Sequence, residues 1–173
     1  MNRRRKRPFL ALIICFLICC FSGCGTQPPS FHQIESLYLQ NKSDFSAVST
    51  YLVNIQAEWA LIETDTGKII IDFNDQKIND SSVLESLHHL WKTGCFSIYM
   101  NRADNSICFE LWRTGIVGDA DAGLLYAIEN DEKKLPTTQY LTELQPLQTT
   151  AWYYYVADYE EWRNHRQTTC DAR

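Results

Sequence analysis

The stretch "CFSIYMNRADNSICFELWR" (residues 95–113) decides the fold, because two alternating apolar runs flank the polar turn 102–105. This pattern is typical of a β-hairpin. Pairing Asn101 with Ser106 makes one face of the hairpin wholly apolar, and burial of that face would fix the register. The facing pairs on this side are then Met100 with Ile107, Ile98 with Phe109, and Phe96 with Leu111.

The other face of this hairpin carries the more polar residues, which are Cys95, Ser97, Tyr99, Cys108, Glu110 and Trp112. In this register the two cysteines lie roughly 13 Å apart along the strands, at ~3.4 Å per residue. A disulfide needs Cα atoms within about 7 Å. We therefore expect Cys95 and Cys108 to be reduced residues that serve in packing.

Two segments before the hairpin have clear end signals. The runs "WALIE" (59–63) and "KIIIDF" (68–73) flank Asp65-Thr66-Gly67, which predicts another hairpin. The run "SVLESLHHLWKTG" (82–94) begins with a Ser-x-x-Glu capping box and ends in a glycine, which predicts a helix.

A long helix is predicted at 31–55, where apolar residues recur every three or four positions. A break near Asn41–Asp44 is the alternative, since Ser43 or Asp44 could cap a second helix. After the central hairpin we expect a glycine-containing loop (114–123) and two more strands.

These elements together predict an α+β domain. We expect an antiparallel sheet of about five to six strands, with a long N-terminal helix and a second shorter helix packed on one face. The last two strands of this sheet would be "LLYAI" (124–128) and "AWYYYVAD" (151–158).

The N-terminus has the pattern of an export signal. Five basic residues (3–7) precede 13 apolar ones (9–21). As a helix this run reaches roughly 20 Å, which is shorter than the ~30 Å hydrocarbon core of a bilayer. A positive segment, a short apolar segment and small residues after it indicate export of the chain that follows.

The residues Phe21-Ser22-Gly23-Cys24 resemble the lipobox of bacterial lipoproteins. The resemblance implies that Cys24 receives a diacylglycerol and that a peptidase cleaves just before it. It predicts a removed signal peptide (1–23), a lipid-anchored linker (24–30), one domain (31–165) and a flexible tail (166–173). The mature protein would then sit on the extracytoplasmic face of the cell membrane, bound to lipid through Cys24.

Charge excludes one class of partner. Removal of residues 1–23 takes five of the 16 basic residues and none of the 21 acidic ones, which leaves a formal charge of −10 on 150 residues. Nucleic-acid binding depends on basic residues that neutralise phosphates, so no nucleic-acid partner is expected. The cysteines outside the signal peptide lack the spacing of a zinc site, and we expect no metal and no cofactor.

Motifs for catalysis are weak. The stretch 118–123 contains Asp-x-Asp, but its spacing does not match a calcium loop. Glu85 and His88 are spaced as in a di-iron site, but a second such pair is missing from the sequence. We assign no catalytic residue, and the alternative is a cell-envelope hydrolase that uses the carboxylates of Asp119, Asp121 or Glu110.

Aromatic residues are concentrated near the C-terminus, where six tryptophans and tyrosines fall between residues 152 and 162. Exposed aromatic rings bind sugars or protein partners. The sequence therefore favours a non-catalytic binding or interaction module with an envelope protein or glycan as its partner. Its candidate binding surface consists of Tyr99, Trp112, Trp152 and Tyr154.

Overall fold

A computed structural model describes residues 27–114, 119–129, 141–149 and 151–159. Within these residues the chain forms three helices and eight strands. The helices are α1 (Phe31–Gln40), α2 (Lys42–Asn54) and α3 (Ser81–Lys92). The strands are β1 (Trp59–Glu63), β2 (Lys68–Ile71), β3 (Asn74–Lys77), β4 (Ser97–Asn101), β5 (Ser106–Thr114), β6 (Ala120–Ala127), β7 (Leu141–Pro146) and β8 (Trp152–Asp158).

The strands form one sheet in the order β3-β2-β1-β4-β5-β6-β8-β7, and each neighbouring pair is antiparallel. The predicted fold class is therefore wrong in two respects. The sheet has eight strands instead of five to six, and the described chain has no long N-terminal helix.

The predicted long helix is interrupted at Asn41. This residue has φ −122° and ψ 23°, outside helical values, and it lies between α1 and α2. Its side-chain amide donates to the carbonyl of Leu37 at 2.9 Å. Local bonding of this kind competes with the helical pattern. Apolar residues continue at helical spacing on both sides, which is why periodicity alone predicted one element.

Two strands were missed because they lie at the edges of the sheet. Strand β3 is exposed at all four of its residues, and β7 is at most partly buried. Edge strands are commonly polar, since charged side chains discourage pairing with another chain. Neither strand therefore carries the apolar alternation on which the prediction depended.

The central hairpin has the predicted register, with Asn101 opposite Ser106, Met100 opposite Ile107 and Ile98 opposite Phe109. The predicted hairpin of β1 and β2 is also confirmed, and Gly67 in its turn has φ +66°. Helix α3 is confirmed as well, with Gly94 at φ +98° after its end. Its N-cap is Asp80 instead of Ser82.

A β-bulge in β5 changes which residues share a face. Glu110 pairs with Gly123, but Trp112 pairs with Ala122, so Leu111 is an extra residue. Successive residues of β6 point to opposite faces. Trp112 therefore lies on the opposite face from Glu110, and the prediction that they share a face was wrong. The ladder also ends before the predicted pair of Phe96 with Leu111.

Both faces of β5, β6 and β8 are buried. The helices cover one face, where the core includes Phe45, Leu52, Phe109 and Trp152. A second cluster on the opposite face includes Cys108, Leu125, Tyr153 and Tyr155. Strand β6 begins at Ala120, so residues 120–123 belong to a strand and not to the predicted loop. No helix in the described ranges has the length and apolar character needed to cross a membrane.

Candidate functional site

Two carboxylic acids lie side by side inside the sheet. Glu110 in β5 is 4% exposed and Asp121 in β6 is 2% exposed, on the face opposite the helices. The bulge at Leu111 also turns Arg113 to this face, where it lies directly opposite Asp121 in the neighbouring strand β6. One local irregularity of the backbone therefore brings two acids and one base together. We call Glu110 and Asp121 the acid pair.

Glu110 is held by two donors. The hydroxyl of Ser97 and the guanidinium of Arg113 both donate to its Oε2. The hydrogen bond with Glu110 raises the pKa of Arg113. The guanidinium also lies over the ring of Phe96, 4.9 Å from its centroid, which is a cation–π arrangement. Arg113 is thus fixed on two sides, and its positive charge offsets the negative charge of Glu110.

Asp121 is held less completely. The hydroxyl of Tyr159 donates to its Oδ2 at 3.1 Å, whereas its buried Oδ1 receives no hydrogen bond. Burial is the largest cause that raises the pKa of Asp121, and together with the contact and charge of Glu110 it brings this pKa to about 7. The hydrogen bond from Tyr159 and the charge of Arg113 act against this shift.

The surroundings of the acid pair are aromatic and buried. Tyr155 lies across Gly123 from Glu110 in the same row of the sheet, and its buried hydroxyl has no hydrogen-bond partner. Burial raises the pKa of Tyr155 and of Tyr99 well above the usual value, and that of Cys108 to about 12. These groups are therefore neutral near pH 7.

Gly123 allows the strands to come together at this point. A Cβ atom at this position would overlap the carbonyl oxygen of Phe109, which belongs to the backbone of β5. Glycine in a strand often marks such a close approach beside a bulge.

The acid pair can bind and release a proton, but its burial keeps larger molecules from the carboxyl oxygens. Two buried acids with different surroundings are a common source of catalytic acids and bases. Here, however, neither residue is more than 4% exposed. Among the described residues no group of three or more histidines, cysteines or acids is arranged to hold a metal. Asp119, the third acid of the predicted hydrolase, accepts a hydrogen bond from the Tyr159 backbone through its carbonyl.

The four residues of the candidate aromatic surface do not form one surface. Trp152 and Tyr154 are 4% and 2% exposed and lie in the core beneath the helices. Tyr99 packs against the cluster on the other face of the sheet. Trp112 is partly buried and pairs with Ala122, on the face that Trp152 and Tyr154 share. Cys24, the predicted lipid attachment site, lies outside the described residues.

A different aromatic group is exposed, at the two-residue loop between β2 and β3. Phe73 in this loop is 88% exposed, more than any other large apolar side chain described. Its ring stacks on that of Trp59 at 5.5 Å between centroids, with 16° between the planes. We call Trp59, Asp72 and Phe73 the aromatic turn.

The backbone of the aromatic turn is in an unusual conformation. Asp72 and Phe73 have φ of 44° and 68°, and Ile71 pairs with Asn74 directly across the loop. Hairpin loops with two positive φ angles favour Asn-Gly or Asp-Gly. Phenylalanine at the second place costs about 1–2 kcal/mol relative to a relaxed conformation.

Asp72 fixes this turn to the start of β1. Its Oδ1 accepts from the Trp59 backbone N–H at 3.0 Å, and its own N–H donates to the Trp59 carbonyl at 3.1 Å. The sequence pattern predicts 68–73 as one strand, and the aromatic turn therefore does not follow from it. The signal was available in the Asp-Phe dipeptide, which stands where Asp-Gly would be expected.

Helix α3 carries a smaller exposed apolar stripe. Leu84 and Trp91 are 38% and 46% exposed, and the imidazole of His88 stacks on Trp91 at 6.1 Å. These three residues are spaced at four and three positions, which places them on one side of the helix.

Comparison of the chain with protein-family models, with curated proteins and with solved structures finds no match.

Proposed function

We propose that this chain is a lipid-anchored lipoprotein of the bacterial cell membrane, with an extracytoplasmic domain that binds a partner without catalysis. The anchor in this proposal is a diacylglycerol on Cys24, supported by the lipobox-like residues that precede it. The binding surface is the aromatic turn, and the partner is an envelope protein or a glycan.

The exposure of Phe73 carries the proposal. An aromatic ring that is 88% exposed contributes little to burial, yet its backbone is held at φ 68°. Strained residues in well-fixed loops are concentrated at sites of recognition, and exposed aromatic rings are the side chains that dominate binding energies. Stability alone would favour glycine at this position.

Rigidity adds to this support. The two hydrogen bonds between Asp72 and Trp59 hold the loop, and the Trp59 ring supports one face of Phe73. A ring that is fixed before binding loses little conformational entropy when a partner arrives.

The hydrolase alternative has less support. It depends on carboxylates that reach a substrate, and both members of the acid pair are almost fully buried. General acid and base groups must come within about 3 Å of the atom whose proton they transfer. A non-catalytic role is therefore the stronger proposal.

Photo-crosslinking in the native bacterium tests this function. A photoreactive amino acid is placed at position 73 of the full-length chain, and a matched one at Leu39, which is 60% exposed on α1. We expect a discrete adduct with one envelope protein or with glycan at position 73 and none at position 39. Equal labelling at both positions, or none at position 73, would contradict the aromatic turn as the binding surface.

A further inference from the structure

We propose that the acid pair is a proton-binding site, in which one proton shared by Glu110 and Asp121 holds β5 and β6 together at the bulge. The strands then loosen as the pH rises towards neutrality and the proton is released. This inference is independent of the proposed anchor and of the aromatic turn.

The placement of the two acids favours a proton on one of them. Both are buried on one face of the sheet, in adjacent rows of neighbouring strands, and a hydrogen bond with Glu110 contributes to the raised pKa of Asp121. Two ionised carboxylates have only acceptors, so a hydrogen bond between them exists only while one of them carries the proton. Without it, two like charges would face each other across neighbouring strands in a site that water hardly reaches.

The available positive charge is too small to replace the proton. Among the described residues, Arg113 is the basic side chain in contact with the pair, and its guanidinium bonds to Glu110. Asp121 has the hydroxyl of Tyr159 on Oδ2 and no donor on Oδ1. A buried charge that lacks compensation is strongly unfavourable, so Asp121 is the member that holds the proton.

Three further titratable groups near the acid pair have a shifted pKa. Tyr99 from β4, Cys108 from β5 and Tyr155 from β8 all have a raised pKa, so they stay neutral. Glu63 in β1 lies on the same face, two strands away across Ser97. The pKa of Asp121 is raised to about 7, so this group is the one that releases a proton as the pH reaches neutrality.

The sign of the effect follows from this shift. The pKa of Asp121 is higher in the folded chain than in an open or unfolded one, where an aspartate titrates near 3.9. Protonation therefore favours the closed strands. Their stability falls as the pH rises from about 4 to about 7, and above pH 7 it no longer changes from this cause.

Hydrogen exchange on the full-length chain in detergent tests the proposal. Amides of 110–114 and 120–123 are followed between pH 5 and 8.5, after correction for intrinsic exchange. The opening constant should rise by about tenfold per pH unit between 5 and 7 and then level off. Asp121→Asn has the shape of the protonated side chain, and its opening constant should not change with pH. The difference between the two proteins at each pH is the quantity that measures the contribution of the acid pair.

Infrared spectra with isotope-labelled aspartate give a second, independent result. At pH 6 ordinary carboxyls are ionised, so the absorption of a protonated carboxyl should come from the acid pair and should vanish by pH 8. Asp121→Asn should lack it throughout, and in Glu110→Gln it should vanish at a lower pH than in the wild type, because the charge of Glu110 no longer raises the pKa of Asp121. Absence of this band from the wild type at pH 6, or a flat exchange profile from pH 5 to 7, would overturn the proposal.

Discussion

Phe73 stacks on Trp59 with 16° between the ring planes, although Phe73 remains 88% exposed and has a positive φ of 68°. The contact leaves one face of the Phe73 ring open to solvent. The arrangement is costly for the backbone and gives little burial in return. At Phe73, a contribution to binding can therefore be measured separately from a contribution to stability.

Replacement of Phe73 with glycine should change stability very little. It removes backbone strain of about 1–2 kcal/mol and also a stacking contact worth about 0.5–1.5 kcal/mol. The free energy of unfolding, measured by urea titration, should stay within about 1 kcal/mol of the wild type. Crosslinking from a neighbouring position, such as Asn74, should nevertheless lose its adduct.

A loss of 3 kcal/mol or more in Phe73→Gly would show instead that the ring serves the fold. Asp72→Ala is the informative companion, because it removes the hydrogen bond to the Trp59 N–H and should loosen the turn while keeping the ring.

Trp152 should behave in the opposite way. Its ring centroid lies 4.9 Å from that of Tyr38 and 5.6 Å from that of Phe109, inside the core. Trp152→Ala should reduce the free energy of unfolding by about 3–5 kcal/mol, because it leaves a large cavity. Thermal melts of this variant and of Phe73→Gly, side by side, distinguish the core ring from the exposed one. Similar melting temperatures would contradict the burial of Trp152.

The central hairpin was predictable because its apolar alternation has only one register that buries a whole face. The bulge at Leu111 was not predictable in the same way. Phe109 and Leu111 continue the alternation through it, so the sequence carries no mark of the extra residue. The bulge turns Arg113 to the face of Glu110. The contact of Arg113 with the acid pair was therefore not predictable either.

The position of Asp121 was missed for a related reason. A strand that is buried on both faces lacks alternation, and residues 121–125 of β6 are all buried. With two glycines nearby, its start looked like a loop. Asp121 lies opposite Arg113 only because residues 120–123 belong to a strand. Asp121 is buried, and a polar residue at a buried position argues against a strand when local pattern is the only guide.

Arg102 should be important for the join between α2 and the central hairpin. Its guanidinium donates to the carbonyls of Ala57, Val53 and Ile55 at 2.6–2.8 Å, at the end of α2. Carbonyls at the end of a helix otherwise lack partners within the helix. Arg102→Ala should reduce the free energy of unfolding by about 2–3 kcal/mol, on the scale of hydrogen bonds to a charged group.

Arg102→Lys is the matched control, because it keeps the charge but cannot reach three carbonyls with a planar fork. We expect denaturant titration to place its stability between those of the wild type and Arg102→Ala. A lysine variant as stable as the wild type would mean that charge alone is sufficient there.

The lipid anchor gives a prediction that does not depend on the folded domain. Cys24→Ser removes the thiol to which the diacylglycerol would be attached. We expect the variant to incorporate no radiolabelled palmitate and to accumulate as the uncleaved precursor. The matched control is Cys20→Ser, which should be labelled and processed like the wild type. Labelling of the Cys24 variant would contradict the lipobox assignment.

Two glycines with different surroundings provide the last prediction. A methyl group at Gly123 would overlap the backbone carbonyl of Phe109, and a backbone group on a paired strand cannot move aside alone. Gly123→Ala should therefore separate β5 from β6 at the bulge and cost more than about 3 kcal/mol, in the range of severe core disruptions. Gly94 has φ +98°, but its missing Cβ would meet nothing within 4 Å. Gly94→Ala should cost only about 1–2 kcal/mol, which is the strain of a positive φ.

Urea titrations compare the free energies of unfolding of the two variants, and hydrogen exchange shows which strands have opened. Amides of 110–114 should lose protection in Gly123→Ala and keep it in Gly94→Ala. Equal costs with unchanged exchange would show that β5 and β6 do not approach closely enough to require glycine.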